Sequence, residues 1–174
     1  MRHLGTSGPR DVRRAYEGDA DRPLGGYLAA LGGYAASVGV LAGVAKLRGR
    51  HLPDRFGLGD TVLLSIATHK LSRLVAKDAV TSPLRAPFTR YEQPAGDAEL
   101  NESVRGSGIR HAIGELISCP FCLAIWFATG LTGGMVLAPR LTRAVGLIMT
   151  AVAASDTLQL AYDTAKQLPS TMDE

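Results

Sequence analysis

Two long uncharged runs constrain the fold of this chain more than any other feature. One extends from Pro23 to Ala45 and the other from Leu116 to Pro139, which makes 23 and 24 residues. An apolar run of about 18 residues or more is long enough to cross a bilayer as an α-helix. The sequence therefore predicts an all-α fold, that of an integral membrane protein.

Two further apolar runs raise the expected number of transmembrane helices to three or four. The run Leu58 to Ala76 contains Asp60, Lys70 and Arg73, and the run Ala144 to Tyr162 is broken only by Asp156. Lys and Arg near the end of a span can lie along apolar surface while their charges reach the headgroups. We expect spans at about 23–45, 58–76, 119–139 and 144–162 in a helical domain over 23–166, a disordered polar tail over 1–22 and a short tail over 167–174.

The distribution of Lys and Arg predicts the orientation. With four spans, 13 of the 19 basic residues lie on the side that holds both termini and the stretch Lys70 to Arg110. Cytoplasmic segments carry an excess of Lys and Arg. We therefore expect a multi-pass protein of the cell membrane with both termini in the cytoplasm.

The central stretch contains a basic segment with Pro83 and Pro87, which fix the backbone and cannot continue a helix. We expect an ordered, turn-rich structure here, followed by a flexible acidic linker over 93–108. Four basic side chains are candidates for holding an anion such as a lipid headgroup; they are Arg73, Lys77, Arg85 and Arg90. The alternative is an ordinary basic loop beside the membrane.

The two cysteines, Cys119 and Cys122, stand at the start of an apolar run and allow three interpretations. A thiol-disulfide redox pair has this spacing, and a helix N-terminus together with His111 would favour the thiolate of Cys119. A metal site would need about four ligands, for which the chain offers the cysteines, His111 and His69. The third interpretation is apolar packing at a helix interface.

Two acidic residues lie in apolar surroundings and are predicted to be buried polar groups, Glu115 and Asp156. Carboxylates are costly in lipid unless they are paired or face a wet cavity. Asp156 is the stronger candidate for pairing with a basic residue, whereas Asp60 is placed to cap the second helix.

Pairs of glycines four residues apart occur twice, at Gly39 with Gly43 and at Gly130 with Gly134. This spacing places both glycines on one helix face and allows another helix to approach closely. We expect these faces to contribute to helix packing.

Several motifs together resemble a known family, the small bacterial membrane proteins grouped as domain of unknown function 1360. The resemblance covers residues 56–126 and is carried by four segments: His69 to Arg73, Lys77 to Thr89, Arg110 to Leu116, and Cys119 to Leu123 with Trp126. It implies a bacterial membrane protein whose distinctive residues are the basic Pro-containing segment and the cysteine pair. The family implies no particular activity.

The leading functional hypothesis is a non-enzymatic structural or interaction component of the membrane. A membrane redox protein using the cysteine pair and a metal-binding membrane assembly are the alternatives. We expect no cofactor and no nucleic acid. The expected partners are the lipid bilayer and either further copies of the chain or another membrane protein.

Overall fold

The structure is a computed structural model and describes residues 8, 11–12, 15–16, 22–96 and 98–167. The predicted tails over 1–22 and 167–174 lie largely outside these residues. From Leu24 onward the chain is mostly helical, and its elements follow the apolar runs. They are α1 Leu24–Leu47, α2 Leu58–Ala76, a 3₁₀ turn Ala79–Thr81, α3 Ser82–Arg85, β1 Thr89–Pro94, β2 Leu100–Val104, α4 Gly108–Ser118, α5 Pro120–Leu137 and α6 Pro139–Gln167.

Prolines set several of the helix boundaries. Pro120 and Pro139 stand at the first positions of α5 and α6, where the missing N–H costs no hydrogen bond. Pro83 lies in the first turn of the short α3. A single residue, Ala138, separates α5 from α6, so these two helices pack as an antiparallel pair.

The long helices alternate in direction. α2 runs parallel to α6, because Asp60 pairs with Arg143 at one end of the two helices and Lys70 pairs with Asp156 further along. α1 runs parallel to α5, since Tyr34 contacts Thr129 and Leu41 faces Gly133. α2 also packs against α5. The result is a bundle in which the ends of α2 and α6 lie at the same end as the start of α1.

Residues 77–96 and 98–107 form a small folded unit at that end, which we call the cap. Within it β1 and β2 pair as an antiparallel hairpin, with Thr89 opposite Val104 and Pro94 opposite Leu100. The all-α prediction is therefore wrong in this part. β1 begins in the segment predicted to be turn-rich, and β2 lies where the flexible linker over 93–108 is expected. β2 carries Glu102, whose side chain bonds to Arg85, and the turn between the strands contains Gly96 at a φ of 158°.

Among the residues that the structure describes, three helices are long and apolar enough to cross a membrane, namely α1, α5 and α6. Many of their large apolar side chains are exposed on the outside of the bundle, among them Leu28, Val40, Ile125 and Leu147. α2 has 19 residues but does not belong to this group. Apolar side chains exposed on such a scale are compatible with a membrane protein.

Candidate functional site

The center of the cap is Arg85, whose side chain is fully buried. Its Nε donates to Glu102 Oε2 at 2.6 Å, and its Nη1 donates to the carbonyl of Val75 at 2.8 Å and to Thr81 Oγ1 at 2.8 Å. Both Nη atoms also donate to the carbonyl of Asp78 at 3.1 Å. Because a guanidinium has five N–H groups in a planar fork, one side chain here connects the end of α2, the 3₁₀ turn, α3 and β2.

Two more ion pairs fasten the cap to the bundle. Arg73 on α2 makes a bidentate contact with Glu99, with Nε to Oε1 at 3.0 Å and Nη2 to Oε2 at 2.5 Å. Lys70 lies with its Nζ 2.8 Å from Asp156 Oδ2 on α6 and 3.7 Å from Asp78 Oδ2. These contacts join α2, α6 and the cap at one level of the bundle.

The backbone reinforces this junction. The N–H of Ala79 donates to the carbonyl of Ala98, and the N–H of Leu100 donates to the carbonyl of Lys77. The chain just after α2 is thus bonded to Ala98, before β2, and to Leu100, the first residue of β2. The cap therefore extends the end of α2 as an ordered structure.

The structure does not bring the four predicted anion-binding residues together as one free cluster. Arg85 is enclosed by its partners, and Arg73 is paired with Glu99. Arg90 is exposed on β1, and Lys77 is half-buried after the end of α2. Two of the four cations are thus committed to fastening the cap.

The other predicted buried acids are each in contact with basic or hydroxyl groups. Glu115 on α4 accepts hydrogen bonds from Tyr27 Oη at 2.6 Å and from Arg22 Nη1 at 3.1 Å, and His111 Nε2 lies at 3.5 Å. Glu115 is 28% exposed, and Asp156, paired with Lys70, is 44% exposed. Asp60, expected as a helix cap, instead makes two 2.8 Å bonds to Arg143.

Close backbone packing supports the contact at Glu115. A Cβ atom added at Gly26 on α1 would lie 2.7 Å from Ala112 Cβ and 2.7 Å from the carbonyl oxygen of Gly108. A Cβ at Gly114 would lie 2.6 Å from Val104 Cγ1 and 2.9 Å from the carbonyl oxygen of Phe88. α4 is therefore held tightly between α1 and the cap.

The cysteine pair lies at the joint between α4 and α5. Cys119 is the N-cap of α5, and its Sγ accepts a hydrogen bond from the N–H of Cys122 at 3.2 Å. Both thiols are free; Cys122 is exposed and Cys119 half-buried. His111 lies beside Glu115, and His69 lines a separate cavity with Lys70 and Arg73.

The metal hypothesis needs at least three ligands in one place. Within the described parts of the chain, no group of three or more His, Cys, Asp or Glu residues is arranged to hold a metal ion. The geometry observed for Cys119 is that of a helix-capping side chain.

Glu99, Glu102 and Tyr27 belong to this network but are not among the predicted site residues. The two glutamates fall in the predicted linker, and Tyr27 falls in an uncharged run. A possible signal was the sequence of charges, since a basic stretch is followed directly by an acidic one of similar size. The paired residues of the two stretches are 17 and 26 positions apart in the sequence, so local patterns do not reveal these ion pairs.

Comparison with known proteins identifies the family. Residues 63–162 match the family described as "Protein of unknown function (DUF1360)", which is more than half of the chain. This protein belongs to that family, as its motifs indicated. Over 70 residues the chain is 41% identical to "Sporulation protein YjcA" of Bacillus subtilis (strain 168). The match covers 38% of this chain and 59% of that relative. No solved structure shows a significant match.

Proposed function

We propose that this protein is a multi-pass component of the cell membrane, in which four helices cross the bilayer and the cap lies on the cytoplasmic face. The observation that carries the proposal is the division of the molecule into an ion-paired cap and a bundle with exposed apolar side chains. Such a bundle is suited to a lipid surrounding.

The fourth crossing is α2. It lies alongside α5 and α6 over its length, so a membrane that contains those helices also surrounds α2. Its 19 residues span about 28 Å, close to the thickness of the hydrocarbon layer. Its charges have partners, Arg143 for Asp60 and Asp156 for Lys70, which lowers the cost of their position.

Reporter fusions at both ends of the chain test this topology. Four crossings predict that both reporters give the cytoplasmic signal, in agreement with the distribution of basic residues. Termini on opposite sides of the membrane would contradict the crossing by α2. A protein that washes from membranes at high pH would contradict integral insertion altogether.

The cap supports a structural or interaction role, because its ion pairs fasten elements to one another. The same unit exposes apolar side chains, with Val80 82% and Leu84 64% exposed. We propose that these side chains contact a partner protein at the cytoplasmic membrane surface. The Bacillus subtilis relative is named as a sporulation protein, which favours sporulation as the process.

Complementation of a Bacillus subtilis strain that lacks this relative tests the role. We expect the full chain to restore sporulation, and the variant Val80→Asp with Leu84→Asp to insert normally and fail to restore it. The matched control is Val12→Asp with Tyr16→Asp, which changes two exposed apolar residues near the amino end. No rescue by an inserted wild-type chain would contradict the assignment to sporulation, and equal rescue by both variants would contradict the role of the cap surface.

A further inference from the structure

An apolar groove lies between α1 and α5 at the end of the bundle opposite the cap. It has a volume of about 600 Å³. Its walls are small and apolar side chains of α1 and α5, including Val38, Leu41, Ala42, Ala128 and Val136. Most of its lining is therefore hydrocarbon.

The mouth of the groove is basic. Lys46 at the end of α1 and Arg50 and His51 just after it line this end, and the groove lining contains no acidic residue. Neither Lys46 nor Arg50 forms an ion pair with any residue that the structure describes. By contrast, Arg143 at the same end of the bundle is paired with Asp60.

A polar and aromatic contact lies beside the inner end of the groove. Thr129, which lines the groove, lies with its Oγ1 2.8 Å from Tyr34 Oη. The Tyr34 ring meets Trp126 edge to face, with centroids 5.3 Å apart. From Val38 to Lys46 the helical rise amounts to about 12 Å. The groove therefore has one charged end and one uncharged end near Trp126.

We propose that this groove binds an anionic phospholipid, with one acyl chain between α1 and α5 and the phosphate at Lys46 and Arg50. This rests on the membrane insertion proposed above, which places the end of α1 at the level of the headgroups. Unpaired cations there attract an anionic headgroup, and the groove below them accepts an apolar chain. A zwitterionic lipid gains less, because its own positive charge opposes the two cations.

The single tryptophan of the chain, Trp126, makes the groove observable. The full chain is reconstituted in phosphatidylcholine vesicles that contain a small fraction of lipid brominated midway along the acyl chains. Bromine quenches tryptophan fluorescence at short range. We expect brominated phosphatidylglycerol to quench Trp126 with an apparent affinity about tenfold higher than that of brominated phosphatidylcholine.

Three variants test whether the preference for the anionic lipid depends on the groove. Lys46→Gln with Arg50→Gln is expected to abolish it, and Ala42→Phe is expected to weaken it by filling the groove. Arg48→Gln with Arg140→Gln removes the same charge from the same end of the bundle but changes no groove residue, so the preference should remain. Loss of preference in this control would mean a general charge effect and would overturn the site.

The outcomes separate the two proposals. Quenching by neither brominated lipid would contradict membrane insertion, and the lipid site with it. Equal quenching by both lipids would leave insertion intact and overturn the lipid site. Retention of the preference after Lys46→Gln with Arg50→Gln would also overturn it.

Discussion

The two ends of the bundle use their basic residues in opposite ways. At the cap end, Arg73, Arg85, Lys70 and Arg22 are each paired with a carboxylate. At the other end, of the basic residues that the structure describes, Arg143 alone has an acidic partner. These four cations at the cap end therefore fasten the chain to itself, whereas most of the cations at the other end have no acidic partner among the described residues. A count of basic residues in the sequence does not distinguish these uses.

The largest expected effect concerns the ion pair of Arg85, the fully buried residue of the cap. Glu102→Leu leaves the Arg85 guanidinium buried without its carboxylate, which is expected to cost about 3–5 kcal/mol of unfolding free energy. Pulse proteolysis of the purified protein in mild detergent, read at cleavage sites within the cap, measures the change.

The matched control is Glu92→Leu on the neighbouring strand, where the carboxylate is exposed and bonds only to the Ser103 hydroxyl among the described residues. We expect a change below about 1 kcal/mol there. Similar losses for the two variants would show that burial of the ion pair does not determine cap stability.

The next largest effect is expected from a change in the tight packing between α4 and the cap. Gly114→Ala forces a Cβ into Val104 and the Phe88 carbonyl, and overpacking of this kind costs about 1–3 kcal/mol. The control is Gly39→Ala on α1, where an added Cβ meets nothing within 4 Å. Thermal unfolding in detergent compares them. A larger loss for Gly39→Ala would indicate that this face of α1 packs against a second copy of the chain.

The smallest effect concerns the cysteine pair. Cys119→Ala removes the sulfur that accepts the Cys122 N–H, with an expected loss of about 0.5 kcal/mol of unfolding free energy. Cys119→Ser should retain this hydrogen bond at the start of α5. Cys122→Ala should change the stability less than Cys119→Ala does. The same thermal measurement gives these values.

A redox role predicts a different result for the same residues. In that case Cys122→Ser would trap mixed disulfides between Cys119 and a partner. Finding such species in membranes, with none from the double variant Cys119→Ala and Cys122→Ala, would contradict the purely structural role that the helix-capping geometry supports.

The long helices could be predicted from the sequence, because each long apolar run forms one helix. The uncharged runs correspond to α1 and α5, and the central prolines fall at the turn-rich segment as expected. The family, too, could be recognised from short motifs and is confirmed by the match over residues 63–162.

The arrangement of the cap could not be predicted from the sequence, because it depends on ion pairs between residues that are distant in the sequence. The strands Thr89–Pro94 and Leu100–Val104 are short and polar, so their composition resembles a linker. The glycine spacing predicted helix packing only in part, since a Cβ added at Gly39, Gly43 or Gly130 would meet no atom within 4 Å. Gly26 and Gly114 make close approaches although they belong to no such pair. Gly134 does make one, but to Thr142 just after the turn.

The pairing of α1 with α4 and α5 has a consequence for synthesis of the protein. Tyr27 bonds to Glu115, which lies 88 residues later in the chain. At translation rates of about 5–20 residues per second, on the order of ten seconds pass before that partner leaves the ribosome. With the proposed topology, α1 stands in the membrane during this interval without α4 and α5. Its long uncharged stretch allows it to remain there alone, so α1 reaches its final contacts with α4 and α5 long after its own synthesis.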